Sequence, residues 1–195
     1  MAEYPPAGQP GGAEPVRQQP GGEPVRGQPG GEPVPGQPDA DVTWLRQAIE
    51  LSRRCPPSAS AFSVGAVLVS GTGAVIATGY SRELDPKDHA EEVALAKAGG
   101  SGWSSPRAAT AAGTQAGPTL YSSLEPCLHR ASRPLSCAEL IIQAGVGRVV
   151  IAWLEPPLFT EGGGADALRR AGVAVIEIPS LAALARAQNA HLLQR

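Results

Sequence analysis

Large apolar side chains are scarce in the first forty residues and recur with clear periods from Val42 onward. Trp44, Leu45, Ala48, Ile49 and Leu51 share one helical face, Thr43 stands where a helix cap belongs, and the helix should stop before Pro56. A valine-rich run, Phe62 to Ser70, is joined by Gly-Thr-Gly to Ala74–Tyr80, which predicts a hairpin of two buried strands with Val64, Val67 and Val69 in the core. Helical spacing returns from His89 to Ala98, where Gly99 and Gly100 end it, and a loop of small residues runs to Pro118. Strands then alternate with helices: Thr119–Ser123, helix Ser136–Ala144, Arg148–Trp153, helix Ala165–Ala171, Val173–Ile178, and a last helix from Leu181. Such alternation implies parallel strands with crossover helices. The predicted fold is α/β: a three-layer α/β/α sandwich on a mixed sheet of about five strands, with an antiparallel hairpin at one edge.

Composition divides the chain. From Gln9 to Asp39 the sequence repeats QPGGAEPVR, QPGGEPVR and QPGGEPVP, too rich in Pro and Gly to offset the entropy of ordering. Residues 1–40 are therefore expected to be a disordered tail and 41–195 the folded domain. Its glycines would interrupt any long polyproline helix. Net charge is −2, and the tail carries the excess, with five acids against two arginines. The remainder is nearly neutral, which disfavours nucleic acid and favours a small-molecule ligand. The three cysteines are odd in number, and no apolar stretch near the N-terminus suggests a signal peptide or membrane span. A cytoplasmic, reducing setting is expected, where thiols serve metals more readily than disulfides.

The candidate chemistry sits at element ends. His89-Ala90-Glu91 opens one predicted helix, Pro126-Cys127 follows a strand, and Cys137 lies near the start of the next helix. This is the H-x-E plus P-C pattern of zinc deaminases, with His89, Cys127 and Cys137 as candidate Zn2+ ligands. Helix N-termini favour the thiolate form that binds zinc. Three protein ligands leave a fourth tetrahedral position for water, whose pKa zinc lowers towards about 7. Glu91, two residues from His89, is the candidate catalytic acid and base.

From Trp44 onward the chain resembles the cytidine deaminase superfamily. The stretch SLEPCLHRASRPLSCAELIIQAGVGRVVIAW, Ser123 to Trp153, is similar to the pyrimidine deaminase domain of riboflavin biosynthesis. That family has L-E-P-C-x-H, then a basic residue, a proline and a second cysteine after a long insert, where most relatives keep two residues between the cysteines. The resemblance implies that His129 and Arg133 approach the ribose phosphate of the substrate. Arg130 fits the basic role equally, because the nine-residue insert exceeds the family's usual eight. Two features depart from the pattern: Ser60-Ala61-Phe62 stands where the family has Pro-Asn-Pro, and Ser81 where it has a histidine.

Free cytidine deaminases offer a second resemblance. Their F-x-V-G-A is matched by Phe62–Ala66, and their G-x-N-x-E in part by Gly79–Glu83, which implies that Glu83 accepts hydrogen bonds from ribose hydroxyls. The resemblance also implies self-association, with a homodimer the simplest form.

The leading expectation is thus a zinc-dependent hydrolase that deaminates an aminopyrimidine, like the riboflavin-pathway diaminohydroxyphosphoribosylaminopyrimidine deaminase without its reductase half. The alternative is a cytidine or deoxycytidylate deaminase. A third reading, a zinc-stabilised binding module, needs a fourth ligand from Cys55, His129 or His191. Trp153 and Phe159 follow a strand end and are either core or a base-stacking surface. Cys55 is expected to be an ordinary side chain.

Overall fold

The computed structural model describes residues 35–100, 117–156 and 163–194. The repeats up to residue 34, most of the small-residue loop and Phe159 lie outside the described residues. Five strands form one sheet: β1 (Gly65–Val69), β2 (Val75–Tyr80), β3 (Thr119–Ser122), β4 (Arg148–Ile151) and β5 (Ala174–Glu177). Their order is β2-β1-β3-β4-β5. β1 runs antiparallel to both β2 and β3, and β3, β4 and β5 run parallel to one another. The sheet is mixed, with the hairpin at one edge, as the hydrophobic pattern predicts.

Register decides what each face meets, because directly paired residues point to the same side. Gly65 pairs with Tyr80, and Val67 with Tyr121; this set faces helix α1 (Pro38–Ser52). Ala66 pairs with both Gly79 and Ser122, and this set faces helix α2 (Ala90–Gly100). The helices come so close that a Cβ at Gly65 would overlap the main chain of Ala48 and Ser52. At Gly79 it would overlap that of Ala90 and Ala94. Glycine at these two strand positions is what lets each helix lie flat on the sheet. On the α1 face Trp44 packs against Tyr121 with ring centroids 6.5 Å apart, and Arg54 lies 5.1 Å from the Tyr80 ring centroid.

The remaining helices are α3 (Cys137–Gln143), α4 (Gly164–Arg170), α5 (Ala182–Ala187) and α6 (Ala190–Leu193), with a 3-10 turn at Pro179–Leu181. Several boundaries differ from expectation for identifiable reasons. α1 starts at Pro38, because proline's fixed φ and missing N–H suit the first helical position, and Thr43 instead donates its hydroxyl to the Asp39 carbonyl at 2.9 Å. The first strand begins at Gly65 rather than Phe62, since the amides of Ser63 and Val64 are taken by the side chains of Asn189 and Ser81. The C-terminal helix is broken at Asn189, whose amide side chain is spent on Ser63 and Ala185. Among the described residues no helix is long and apolar enough to cross a membrane.

Candidate active site

His89, Glu91, Cys127 and Cys137 meet where α2 and α3 begin beside the end of β3. His89 stands just outside α2, and its carbonyl accepts the Val93 N–H at 3.1 Å. Cys137 is the first residue of α3, behind a capping box in which Ser136 and Glu139 satisfy each other's backbone N–H groups. The loop after β3 is tied to that helix by the Ala138 N–H, which donates to the Cys127 carbonyl at 3.2 Å. Ser136-x-x-Glu139 is a legible helix-start signal, and it fixes the orientation of Cys137.

The three candidate ligand atoms lie within 4.8 Å of one another. His89 Nδ1 is 3.6 Å from Cys127 Sγ and 3.5 Å from Cys137 Sγ. Tetrahedral coordination with metal–sulfur bonds of about 2.3 Å and a metal–nitrogen bond of about 2.0–2.1 Å gives sulfur–nitrogen edges of about 3.6 Å. The donor set fits a metal of that geometry, and Nδ1 is the nitrogen it would use.

The electrostatics agree. The Cys127 thiol is held well below the ordinary range, chiefly by the Cys137 thiol donating to it, with His89 and the Cys137 N–H (3.4 Å) adding to the effect. Cys137 is pushed up by that same contact and by burial. Burial disfavours a charge on His89, yet the adjacent Cys127 and the Glu91 charge outweigh it and raise its pKa. A thiolate beside an imidazole is a ready cation site. Among the described residues no fourth His, Cys, Asp or Glu joins the cluster. Of the other candidates, the Cys55 thiol donates to the Val64 carbonyl at 3.3 Å, His191 Nε2 lies 2.9 Å from the Ser58 carbonyl, and His129 is exposed.

Glu91 is 3% exposed, and its Oε1 accepts the Ser122 hydroxyl at 2.7 Å. Burial raises its pKa, and the Ser122 hydrogen bond and nearby His89 only partly counter that. A carboxyl tuned upward can both take and give a proton. Ser122 carries no motif of its own; only the strand register, which turns it towards α2, reveals its part.

A cavity of about 920 Å3 opens on this cluster. His89, Glu91 and Cys127 line it, as do Ala61, Phe62, Ser81, His129, Arg130 and Arg133. The sequence-predicted substrate residues divide in three ways. His129 is exposed on the wall. Both arginines are engaged by acids: Arg130 holds Glu92 at 2.8 Å and the Leu135 carbonyl at 2.8 Å, while Arg133 lies 3.1 Å from Asp88 and 3.4 Å from both Asp85 and Glu92. Arg130 thus pins the insert to α2. Glu83 is absent from the lining; it accepts Lys97 at 2.5 Å and the Tyr80 N–H at 3.3 Å, contacts that hold the end of β2 to α2. Trp153 is also outside the lining, buried edge-on against Phe62 at 5.6 Å with Arg186 5.4 Å from its ring.

Two residues on the wall went unassigned from sequence. Arg82 holds three main-chain carbonyls of residues 56–62, and Asp88 accepts the N–H groups of Leu84 and Asp85 at 3.3 and 2.8 Å. Just before the insert, Glu125 of the LEPC stretch accepts the N–H groups of Glu155 and Ala165 at 2.9 and 2.8 Å, bracing the Cys127 loop against the end of β4 and α4.

Comparison with known proteins agrees with this geometry. Residues 38–153 match the family model described as the cytidine and deoxycytidylate deaminase zinc-binding region. The chain is 37% identical over 134 residues to the diaminohydroxyphosphoribosylamino-pyrimidine deaminase of Schizosaccharomyces pombe, covering 69% of this chain and 31% of that one. RibD of Acinetobacter baumannii superposes with a TM-score of 0.60 at 32% identity, covering 79% of this chain and 39% of that one. The diaminohydroxyphosphoribosylaminopyrimidine deaminase/5-amino-6-(5-phosphoribosylamino)uracil reductase of Thermotoga maritima gives 0.61 at 29% identity over 76% of this chain and 38% of that one. The chain spans about a third of the length of these relatives. A His-Cys-Cys cluster with both thiols buried beside a buried glutamate, on a mixed five-stranded sheet and within a matching family model, makes this chain a member of the cytidine and deoxycytidylate deaminase family.

Proposed function

We propose that the chain is a zinc-dependent hydrolytic deaminase of an aminopyrimidine, in which His89, Cys127 and Cys137 hold the metal and Glu91 moves the protons. The observation that carries this reading is the meeting of three metal-fitting donors beside one buried carboxyl, with His89, Cys127 and Glu91 lining a single cavity. Zinc bound there would supply a water activated for attack on an amino-substituted ring carbon. Glu91 would take one proton from the attacking water and give it to the ring nitrogen, then carry the second, from the new hydroxyl, to the departing amine, leaving a carbonyl and ammonia. Ammonia is a poor leaving group without that transfer. Ser122, by donating to Oε1, fixes the direction of the carboxyl. The buried surroundings of Glu91, Cys127 and Cys137 strengthen every charge interaction at the reacting centre.

Similarity to the Schizosaccharomyces pombe and Acinetobacter baumannii proteins supports a riboflavin-type diaminopyrimidine as the substrate. On this reading His129, on the cavity wall, and Arg133, on exchanging its acidic partners for a ligand, would meet the substrate's sugar arm. The free thiols of Cys127 and Cys137 fit a cytoplasmic setting, and family resemblance supports a homodimer. Ammonia release from the riboflavin-pathway diaminopyrimidine, cytidine and deoxycytidylate tests the reading. Turnover of the diaminopyrimidine is expected, turnover of a cytosine substrate alone would shift the chain to the cytidine-type alternative, and no release from any would sink the proposal.

A further inference from the structure

Residues 56–63 leave the end of α1 and return to β1 without helix or strand structure, yet Ser60, Ala61 and Phe62 from this segment form one side of the cavity. An irregular segment at a ligand wall needs its main-chain groups held by something other than a ladder. Side chains do it here. Asn189 takes the N–H and carbonyl of Ser63 at 2.7 and 3.1 Å. The larger share falls to Arg82. Its Nε and NH2 donate to the Pro56 carbonyl at 3.0 and 2.9 Å, NH1 donates to the Phe62 carbonyl at 2.9 Å, and NH2 also reaches the Ser63 hydroxyl at 3.1 Å. One planar guanidinium thus joins the two ends of the segment, a task that a single ammonium cannot copy.

The backbone of Arg82 is itself unusual. Its φ of 62° makes it the only non-glycine residue in the left-handed region among the described residues. That conformation disfavours an L side chain and persists only where surrounding contacts enforce it. The enforcing contact is the Asp88 carbonyl, which accepts the Arg82 N–H at 2.9 Å. Asp88 directly precedes His89, so Arg82 links the cavity wall to the turn that leads into the metal-fitting cluster. Because its guanidinium donates to the Pro56 and Phe62 carbonyls and the Ser63 hydroxyl, Arg82 acts on a ligand through the wall it shapes.

We propose that Arg82 is the positioning residue that fixes residues 56–63 as the substrate-facing wall and so sets which ring substituents the cavity accepts. This rests on the cavity being the deaminase substrate site. A wall that touches the ligand away from the reacting carbon contributes to binding more than to the chemical step, so its loosening should raise KM and spare kcat.

Arg82→Gly and Arg82→Lys test this with two readouts, amide hydrogen exchange over residues 56–63 and steady-state ammonia release. Glycine is at home at this φ, so Arg82→Gly removes the guanidinium without adding backbone strain. The expected result is faster exchange confined to the segment, a KM raised about tenfold and a kcat within about twofold of the parent, with Arg82→Lys intermediate. Unchanged exchange, or faster exchange with KM unchanged, overturns the proposal, and so does a loss confined to kcat. Parent protein that releases no ammonia overturns the deaminase reading instead, and the exchange measurement still reports whether Arg82 holds the wall.

Discussion

Two buried polar clusters lie on opposite faces of the same sheet, and burial acts on them in opposite ways. On the α1 face Asp41 receives Arg148 through two hydrogen bonds of 2.8 and 2.5 Å, the Tyr121 hydroxyl at 2.8 Å and the Gly36 N–H at 3.2 Å. Burial alone would raise the Asp41 pKa, but Arg148 and Tyr121 overcome it and hold the carboxyl below its usual range. On the α2 face Glu91 has one side-chain partner, Ser122, and burial prevails, pushing its pKa up. Arg148 and Tyr121 favour the charged form of the first carboxyl, whereas burial favours the protonated form of the second, which borders a cavity. Full satisfaction marks structure, and partial satisfaction beside a cavity marks chemistry.

The two clusters should respond differently to substitution. The largest effect should come from the metal-fitting cluster: Cys137→Ser is expected to reduce retained zinc to background and to abolish ammonia release, read by metal analysis and a coupled assay. Next, Asp41→Asn should leave Arg148 as an uncompensated buried charge and lower stability by about 3–5 kcal/mol in denaturant titration, with zinc content per folded molecule unchanged. The pH dependence has a defined sign. Asp41 has a depressed pKa in the folded state, so its contribution is fully present above the ordinary carboxylate value and is lost as pH falls below that value through the folded pKa. Thermal melts should show that acid limb in the parent and a flatter one in Asp41→Asn. The smallest effect is expected from Tyr121→Phe, which removes one hydrogen bond worth about 0.5–1.5 kcal/mol and should leave turnover unchanged.

Much of this was legible in the sequence. Among the described residues, apolar runs and helical spacing located the five strands and the helices up to α5, and the residue types and order of His89, Glu91, Cys127 and Cys137 pointed to one centre before any coordinates. What escaped was set by distant side chains. The Asp41–Arg148 pair joins residues 107 apart, and neither lies in a recognisable motif. Asn189 breaks a helix in order to serve Ser63, 126 residues away, so helical periodicity runs straight through the break. Glu83 matched a family position yet turns to Lys97, because the chain between β2 and α2 is fixed by Arg82 and Asp88 rather than by the motif. Motifs recorded the chemistry, while the wall around it depended on tertiary hydrogen bonds.

On the α2 face, His89, Cys127 and Cys137 are proposed to form a catalytic metal centre with Glu91 as its proton carrier. Glu91→Gln keeps the side chain's size and its capacity to accept from Ser122 while removing the titrating group. Zinc-loaded Glu91→Gln should retain the parent's metal content and lose about 10²–10⁴-fold in ammonia release from the diaminopyrimidine substrate. A variant that kept its zinc and turned over at the parent's rate would rule out Glu91 as the proton carrier.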